Sequence, residues 1–153
     1  MRQKQLDELL ILAVKLGTAW DFLTSFLGIA GLLGVTRLRG NLNVGALGAC
    51  ITAIVSSFII LCLSIYSEQI WSSEKDRQGN VLRGAHVIAV IYDAYTTFLG
   101  TAQNVLLREN SSAFISVGLP EVFGKLRFEA IITLMVATAL ITACPIVLRR
   151  IQK

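Results

Sequence analysis

Charge is scarce in this chain where a soluble protein would need it. Asp, Glu, Lys and Arg make up 16% of 153 residues, hydrophobic residues 54%, and the mean hydropathy is +0.67. The charges gather at the N-terminus and around residues 37–39, 68–83, 108–109, 121–129 and 149–153. The intervals between them carry almost no charged side chains. That argues against a soluble helical bundle, whose helices need a polar face along their whole length.

Histidine occurs once, as His86, and cysteine three times, as Cys50, Cys62 and Cys144, with no short metal-type spacing. This leaves too little for a His/Cys metal centre, and the cysteines read as small apolar packing residues. Nucleotide and metalloprotease signatures are missing as well: there is no G-x-G-x-x-G, P-loop or H-E-x-x-H. Gly28, Gly31 and Gly34 recur every third residue, but inside an apolar helix with no strand before them, so they read as helix packing. A serine triad would depend on His86 at the edge of a span. Tyr92-Asp93 matches half of an intramembrane aspartyl protease pattern, yet the glycines that should precede aspartate are absent from both Asp-containing stretches. No enzymatic activity, metal or cofactor is expected. The net charge of +4 lies at segment ends, as in a membrane protein, and implies no nucleic-acid partner.

What the chain has in abundance is long oily runs. Four stretches, about 12–36, 45–66, 86–107 and 129–148, reach the length of about 20 residues that a helix needs to cross hydrocarbon. A segment in lipid must satisfy its own backbone hydrogen bonds, so each is expected to be helical. A polar turn, Arg37 to Asn43, joins the first two spans. A charged loop over 67–84 joins the next two. The last connection, Arg108 to Phe128, holds Phe114, Val117, Leu119, Val122 and Phe123, and reads as a loop dipping into the interface, with a short helix near Pro120. Pro145 is expected to kink or end the fourth span.

Arg2, Lys4, Lys75, Arg77, Arg83, Arg149, Arg150 and Lys153 fall on one side of this layout. The other side has only Arg37, Arg39, Arg108, Lys125 and Arg127. The excess places both termini and the 67–84 loop in the cytoplasm. A cleavable signal peptide is the competing reading of the N-terminus. Asp7, Glu8 and Lys15 interrupt it, and no small-residue cleavage site follows. Asn110-Ser111-Ser112 fits a glycosylation sequon on the outer side, of consequence only in a secretory pathway.

Two of the oily runs carry an aspartate, in nearly the same words. WDFLTSFLGIA, residues 20–30, aligns with YDAYTTFLGTA, residues 92–102. Asp21 matches Asp93, Thr24 matches Thr96, Gly28 matches Gly100, and Ser25 faces Thr97. More weakly, ITAIVSSFIILCLSI from Ile51 aligns with ITLMVATALITACPI from Ile132, setting Ser57 opposite Thr138. The expected fold is therefore an all-α integral membrane protein of four transmembrane helices, built as two tandem parallel two-helix repeats. It forms a single membrane domain over 1–153, with repeat 1 at about 9–66 and repeat 2 at about 85–150.

On a helix, Asp21, Thr24, Ser25 and Gly28 form one stripe, and Asp93, Thr96, Thr97 and Gly100 form its counterpart, extended by Gln103 and Asn104. Gly28, Gly31 and Gly100 allow close helix approach. A charged aspartate at membrane depth costs at least about 2.5–3.5 kcal/mol, so it must be paired, protonated or hydrated. No basic residue is an obvious partner. Lys15 lies off the face of Asp21, and His86 sits two turns before Asp93, where it reads as an interfacial residue. Facing each other, the two carboxylates favour sharing a proton.

The expected function is a small oligomeric membrane protein whose proton or cation path is lined by Asp21, Thr24, Ser25, Asp93, Thr96, Thr97, Gln103 and Asn104. The expected partners are the bilayer and further copies of the chain or other membrane subunits. The alternative is a non-catalytic accessory or assembly subunit of a larger membrane complex. It is favoured by the nearly featureless second and fourth spans, and by polar stripes that stop partway.

Overall fold

The computed structural model describes residues 2–35, 44–72, 77–102 and 119–151. Its helices are α1 (Arg2–Leu32), α2 (Val44–Ile65), α3 (Ser67–Ser72), α4 (Arg77–Thr101), α5 (Leu119–Lys125) and α6 (Phe128–Ile151). The described residues contain no strand. Three helical segments are long and apolar enough to cross a membrane: Asp7–Leu32 within α1, all of α2 and all of α6. Less than a third of each apolar window is buried in the bundle. Leu9, Leu16, Ile51, Phe58, Met135 and Leu140 are among the large apolar side chains left on the outside. One exposed leucine is ordinary; an apolar surface around three helices marks a membrane-embedded protein.

The third expected span, 86–107, falls in its described part on α4, which is not among the three segments apolar enough to cross a membrane. It has 25 residues, about 37 Å of helix. Its composition is more polar than that of the other long helices. The polar side chains His86, Asp93, Thr96 and Thr97 turn inward and are buried, while Val81, Ile88 and Ile91 face out.

Partnerships at the ends give the directions of the helices. The Arg149 guanidinium, near the end of α6, lies 5.6 Å from the ring centroid of Tyr66, just past α2. Trp71 of α3 reaches His86 in the first half of α4. Gly17 of α1 abuts the side chain of Cys144 in α6. One end of the bundle therefore gathers the N-terminal halves of α1 and α4 with the C-terminal ends of α2 and α6, so α1 runs parallel to α4 and α2 parallel to α6.

The apolar core is split in two. Ile29, Ala30 and Val35 pack with Ala53 and Ile60 between α1 and α2, with Phe26 at the edge. Phe98, Leu99 and Ala102 pack with Val122 and Leu134 between α4, α5 and α6. Within the alignment of Ile51–Ile65 with Ile132–Ile146, Ala53, Ser57 and Ser64 fall opposite Leu134, Thr138 and Pro145, and all of these are buried.

Several local expectations change. The described parts of the 67–84 segment are helical rather than loop. Backbone bonds Tyr66 N–H to Cys62 O and Ile70 N–H to Tyr66 O carry the ladder past Tyr66 into α3, and α4 begins at Arg77. The short helix expected near Pro120 is α5, but it does not simply lie on the surface. Val122 is fully buried, and the Phe123 ring stacks on Phe98 with centroids 6.3 Å apart. Pro145 neither ends nor interrupts α6, which continues to Ile151.

Gly34 is a cap rather than a packing residue. Its φ of 79° is left-handed. Its N–H bonds Gly31 O at 3.0 Å, and the Val35 N–H bonds Ala30 O at 3.0 Å, the paired bonds of a Schellman turn. Val35 then folds back into the α1–α2 core. A Cβ at Gly34 would meet nothing within 4 Å, so Gly34→Ala tests the φ value alone. It is expected to lower stability by about 1 kcal/mol, readable as an earlier thermal transition in detergent.

Candidate functional site

The two Asp-containing stripes meet face to face where α1 packs on α4, the most extensive helix contact in the bundle. Glycine makes this approach possible. A Cβ on Gly28 would lie 2.8 Å from the carbonyl carbon of Thr96 and closer still to its oxygen; a Cβ on Gly100 would meet Thr24 in the same way, at 2.9 Å. The helices touch backbone to backbone at two reciprocal points, a geometry open to Cα–H···O contacts. Gly31 is buried on the same helix.

Between these points and the aspartates lies a closed polar cluster. Asp21 is 2% exposed and Asp93 1%. Ser25 Oγ donates to Asp93 Oδ1 at 2.5 Å. Ser25 Oγ and Thr97 Oγ1 are 2.9 Å apart, and either can donate. Thr97 Oγ1 donates to Asp21 Oδ1 at 3.4 Å. The order Asp21, Thr97, Ser25, Asp93 is thus one string crossing from α1 to α4, back to α1 and again to α4. Each aspartate is held by a hydroxyl of the opposite helix, not by its own.

Thr24 and Thr96 behave differently from Ser25 and Thr97. Thr24 Oγ1 donates back to Trp20 O at 2.9 Å or Asp21 O at 3.1 Å. Thr96 Oγ1 does the same toward Tyr92 O at 3.0 Å and Asp93 O at 3.1 Å. Such bonds satisfy a buried hydroxyl within its own helix. These threonines shape the interface, although Thr96 Oγ1 also lies 3.5 Å from Ser25 Oγ. Gln103 and Asn104 fall outside the described residues.

None of the lysines and arginines whose burial is described is buried, and none of the described hydrogen bonds of Asp21 or Asp93 is to a cation. The described residues likewise offer no group of three or more His, Cys, Asp or Glu side chains able to hold a metal ion.

Other buried polar groups lie along α4. Nearest the chain-end side of the bundle is His86, whose Nδ1 accepts from Trp71 Nε1 at 3.3 Å, the rings edge to face. An indole N–H can only donate, so this bond leaves the His86 proton on Nε2 when the ring is neutral. That nitrogen is buried without a partner, as is Thr101 Oγ1 two turns beyond Asp93. His86, Asp93, Thr97 and Thr101 share one side of the helix. Extending the Asp93 stripe by helical spacing would have found Thr101 in the sequence. The Trp71–His86 pair and the Gly17–Cys144 contact had no local signal, since each joins residues from different helices.

No protein-family model, no curated protein and no solved structure matches this chain.

Proposed function

We propose that this chain is a four-span membrane protein, with α4 as its polar-lined third span, and that the Asp21–Asp93 cluster is the centre of a proton translocation path completed by an oligomer or by partner subunits. The observation that carries this reading is the string itself: two buried carboxyls joined end to end by hydroxyls, with no basic residue between them. Buried ionisable groups in a membrane segment are expensive, and proton relays are a common reason for them. Of the proton and cation alternatives, the geometry favours the proton. The string oxygens sit at hydrogen-bonding distance from one another, where a cation would need several of them turned toward it at a common centre. His86 and Thr101, each with an unpartnered buried polar atom, extend the polar row on α4 in both directions. The pseudo-symmetric contacts around Gly28 and Gly100 favour an origin as two tandem two-helix repeats. The basic residues at the chain ends favour cytoplasmic termini.

The second reading is a non-catalytic subunit of a larger membrane assembly. It is favoured by the backbone contact at Gly28 and Gly100, which closes the α1–α4 interface directly beyond the string.

Proton flux into liposomes containing the purified protein separates the two. The proton path predicts flux that Asp21→Asn/Asp93→Asn abolishes while the folded, assembled state persists. A folded, assembled wild-type protein that conducts no protons overturns the path and leaves the assembly subunit.

A further inference from the structure

Counting hydrogens along the string gives its protonation. Three links join Asp21, Thr97, Ser25 and Asp93, and each link needs one hydrogen. Ser25 and Thr97 supply one each, and an ionised carboxylate supplies none. The third hydrogen has to come from a carboxylic acid. With both aspartates ionised, one link would set two oxygens against each other without a hydrogen, and two buried negative charges would face each other uncompensated. With both protonated, four hydrogens would compete for three links, and one O–H would be left without an acceptor in the string.

We propose that the α1–α4 interface is a binding site for a single proton shared between Asp21 and Asp93, held in either of two hydrogen-bond polarities of the same string. In one polarity Asp21 carries the proton and donates to Thr97, Thr97 donates to Ser25, and Ser25 donates to the Asp93 carboxylate. The other polarity is reached by three proton hops. The Asp21 O–H proton passes to Thr97 Oγ1, the Thr97 proton to Ser25 Oγ, and the Ser25 proton to Asp93. Three O–H bonds break and three form, and the negative charge moves from Asp93 to Asp21. Both ends of the string are carboxyls presented with a hydroxyl from the opposite helix, the Asp93 link short at 2.5 Å and the Asp21 link longer at 3.4 Å.

The groups facing the string do not change the count. From α6 comes Cys144, against Gly17 one turn before Asp21. From α4 comes His86, two turns before Asp93 and engaged by Trp71. Also from α4 comes the Thr96 hydroxyl, 3.5 Å from Ser25 Oγ, which donates to Tyr92 O and Asp93 O of its own helix. None is a fixed cation. The proposal builds on the reading of Asp21 and Asp93 as a proton site, but it does not require that the proton cross the membrane.

The test is infrared spectroscopy of the lipid-reconstituted protein at neutral pH, with carbon-13 at the aspartate carboxyls to isolate their bands. Wild type is expected to show the carbonyl stretch of a protonated acid with the intensity of one carboxyl per chain. Asparagine brings its own N–H donor, so in Asp21→Asn the three links are filled without any acid, and likewise in Asp93→Asn. Each single variant is therefore expected to lose the whole band rather than half of it. Thr97→Val cuts the string while keeping the side-chain shape. It is expected to keep one acid band, moved toward the position of an acid without a hydrogen-bond acceptor. This variant also serves if an asparagine variant fails to fold.

A wild-type band worth two carboxyls, or no band, overturns the proposal. So does a band that survives in one asparagine variant and vanishes in the other, which would mean a proton fixed on one residue. So does a band that Thr97→Val leaves unmoved. Absence of flux together with the shared band would remove the translocation path and leave the shared proton standing.

Discussion

Gly28→Ala and Gly100→Ala are expected to be among the most damaging single-methyl changes available in this protein. Adding one carbon to a well-packed interior costs about 1–3 kcal/mol when neighbours can adjust. Here the neighbour is a backbone carbonyl, Thr96 for Gly28 and Thr24 for Gly100. A carbonyl within a helix cannot rotate aside, so the helices must separate. Separation also stretches the Ser25–Asp93 and Ser25–Thr97 bonds, which span the same interface. The loss should sit at the upper end of that range, and the double variant should lose the native α1–α4 contact. Alanine is the better helix former by about 1 kcal/mol, which partly offsets the clash and makes the controls informative. A Cβ at Gly48 in α2 or Gly84 in α4 meets nothing within 4 Å, so Gly48→Ala and Gly84→Ala are expected to be neutral or mildly stabilising. Thermal unfolding of all four variants in one detergent checks this. Equal behaviour of the four would mean that close backbone approach does not hold α1 to α4.

Ser25→Ala is the second large effect. Ser25 is the only residue of the string bonded to a carboxyl and to the other hydroxyl at short distance. Its removal leaves Asp93 without its hydroxyl partner and Thr97 with only the longer contact to Asp21. Stranding a buried polar group costs about 1–3 kcal/mol, and more for a charged one. Ser57→Ala removes a hydroxyl equally buried, but that hydroxyl donates only to Ala53 O in its own helix, at 2.8 Å. That change should be nearly silent. A double-mutant cycle of Ser25→Ala with Asp93→Leu tests the cause, because with the carboxyl gone the serine matters less. A coupling of about 0.5–3 kcal/mol is expected for residues in one network. Additive losses would show that Ser25 acts through packing rather than through Asp93.

Much of this arrangement is legible in the residues themselves. Oily runs separated by charge, in a chain with few other features, specify helices of membrane length, because lipid offers the backbone no other partners. The spacing of Asp21, Thr24, Ser25 and Gly28, and its echo at Asp93, Thr96, Thr97 and Gly100, places each set on one stripe, because helical periodicity is a local property.

What the stripes do to each other belongs to the tertiary structure. Thr24 and Ser25 are neighbours on the same face, yet one hydroxyl turns back to its own helix while the other crosses to Asp93. Both are small hydroxyl residues in equivalent local settings, and only the position of the opposite helix separates them. In the same way Gly28 and Gly34 look alike in a three-residue spacing; one meets a carbonyl across the interface, and the other ends the helix with a left-handed turn. The turn at Gly34 depends on Val35 finding the α1–α2 core, a contact between distant parts of the chain. Local periodicity determined which faces are polar. The register between α1 and α4 decided which oxygens share hydrogens, because a hydrogen bond needs two atoms within about 3 Å and that distance is set by packing.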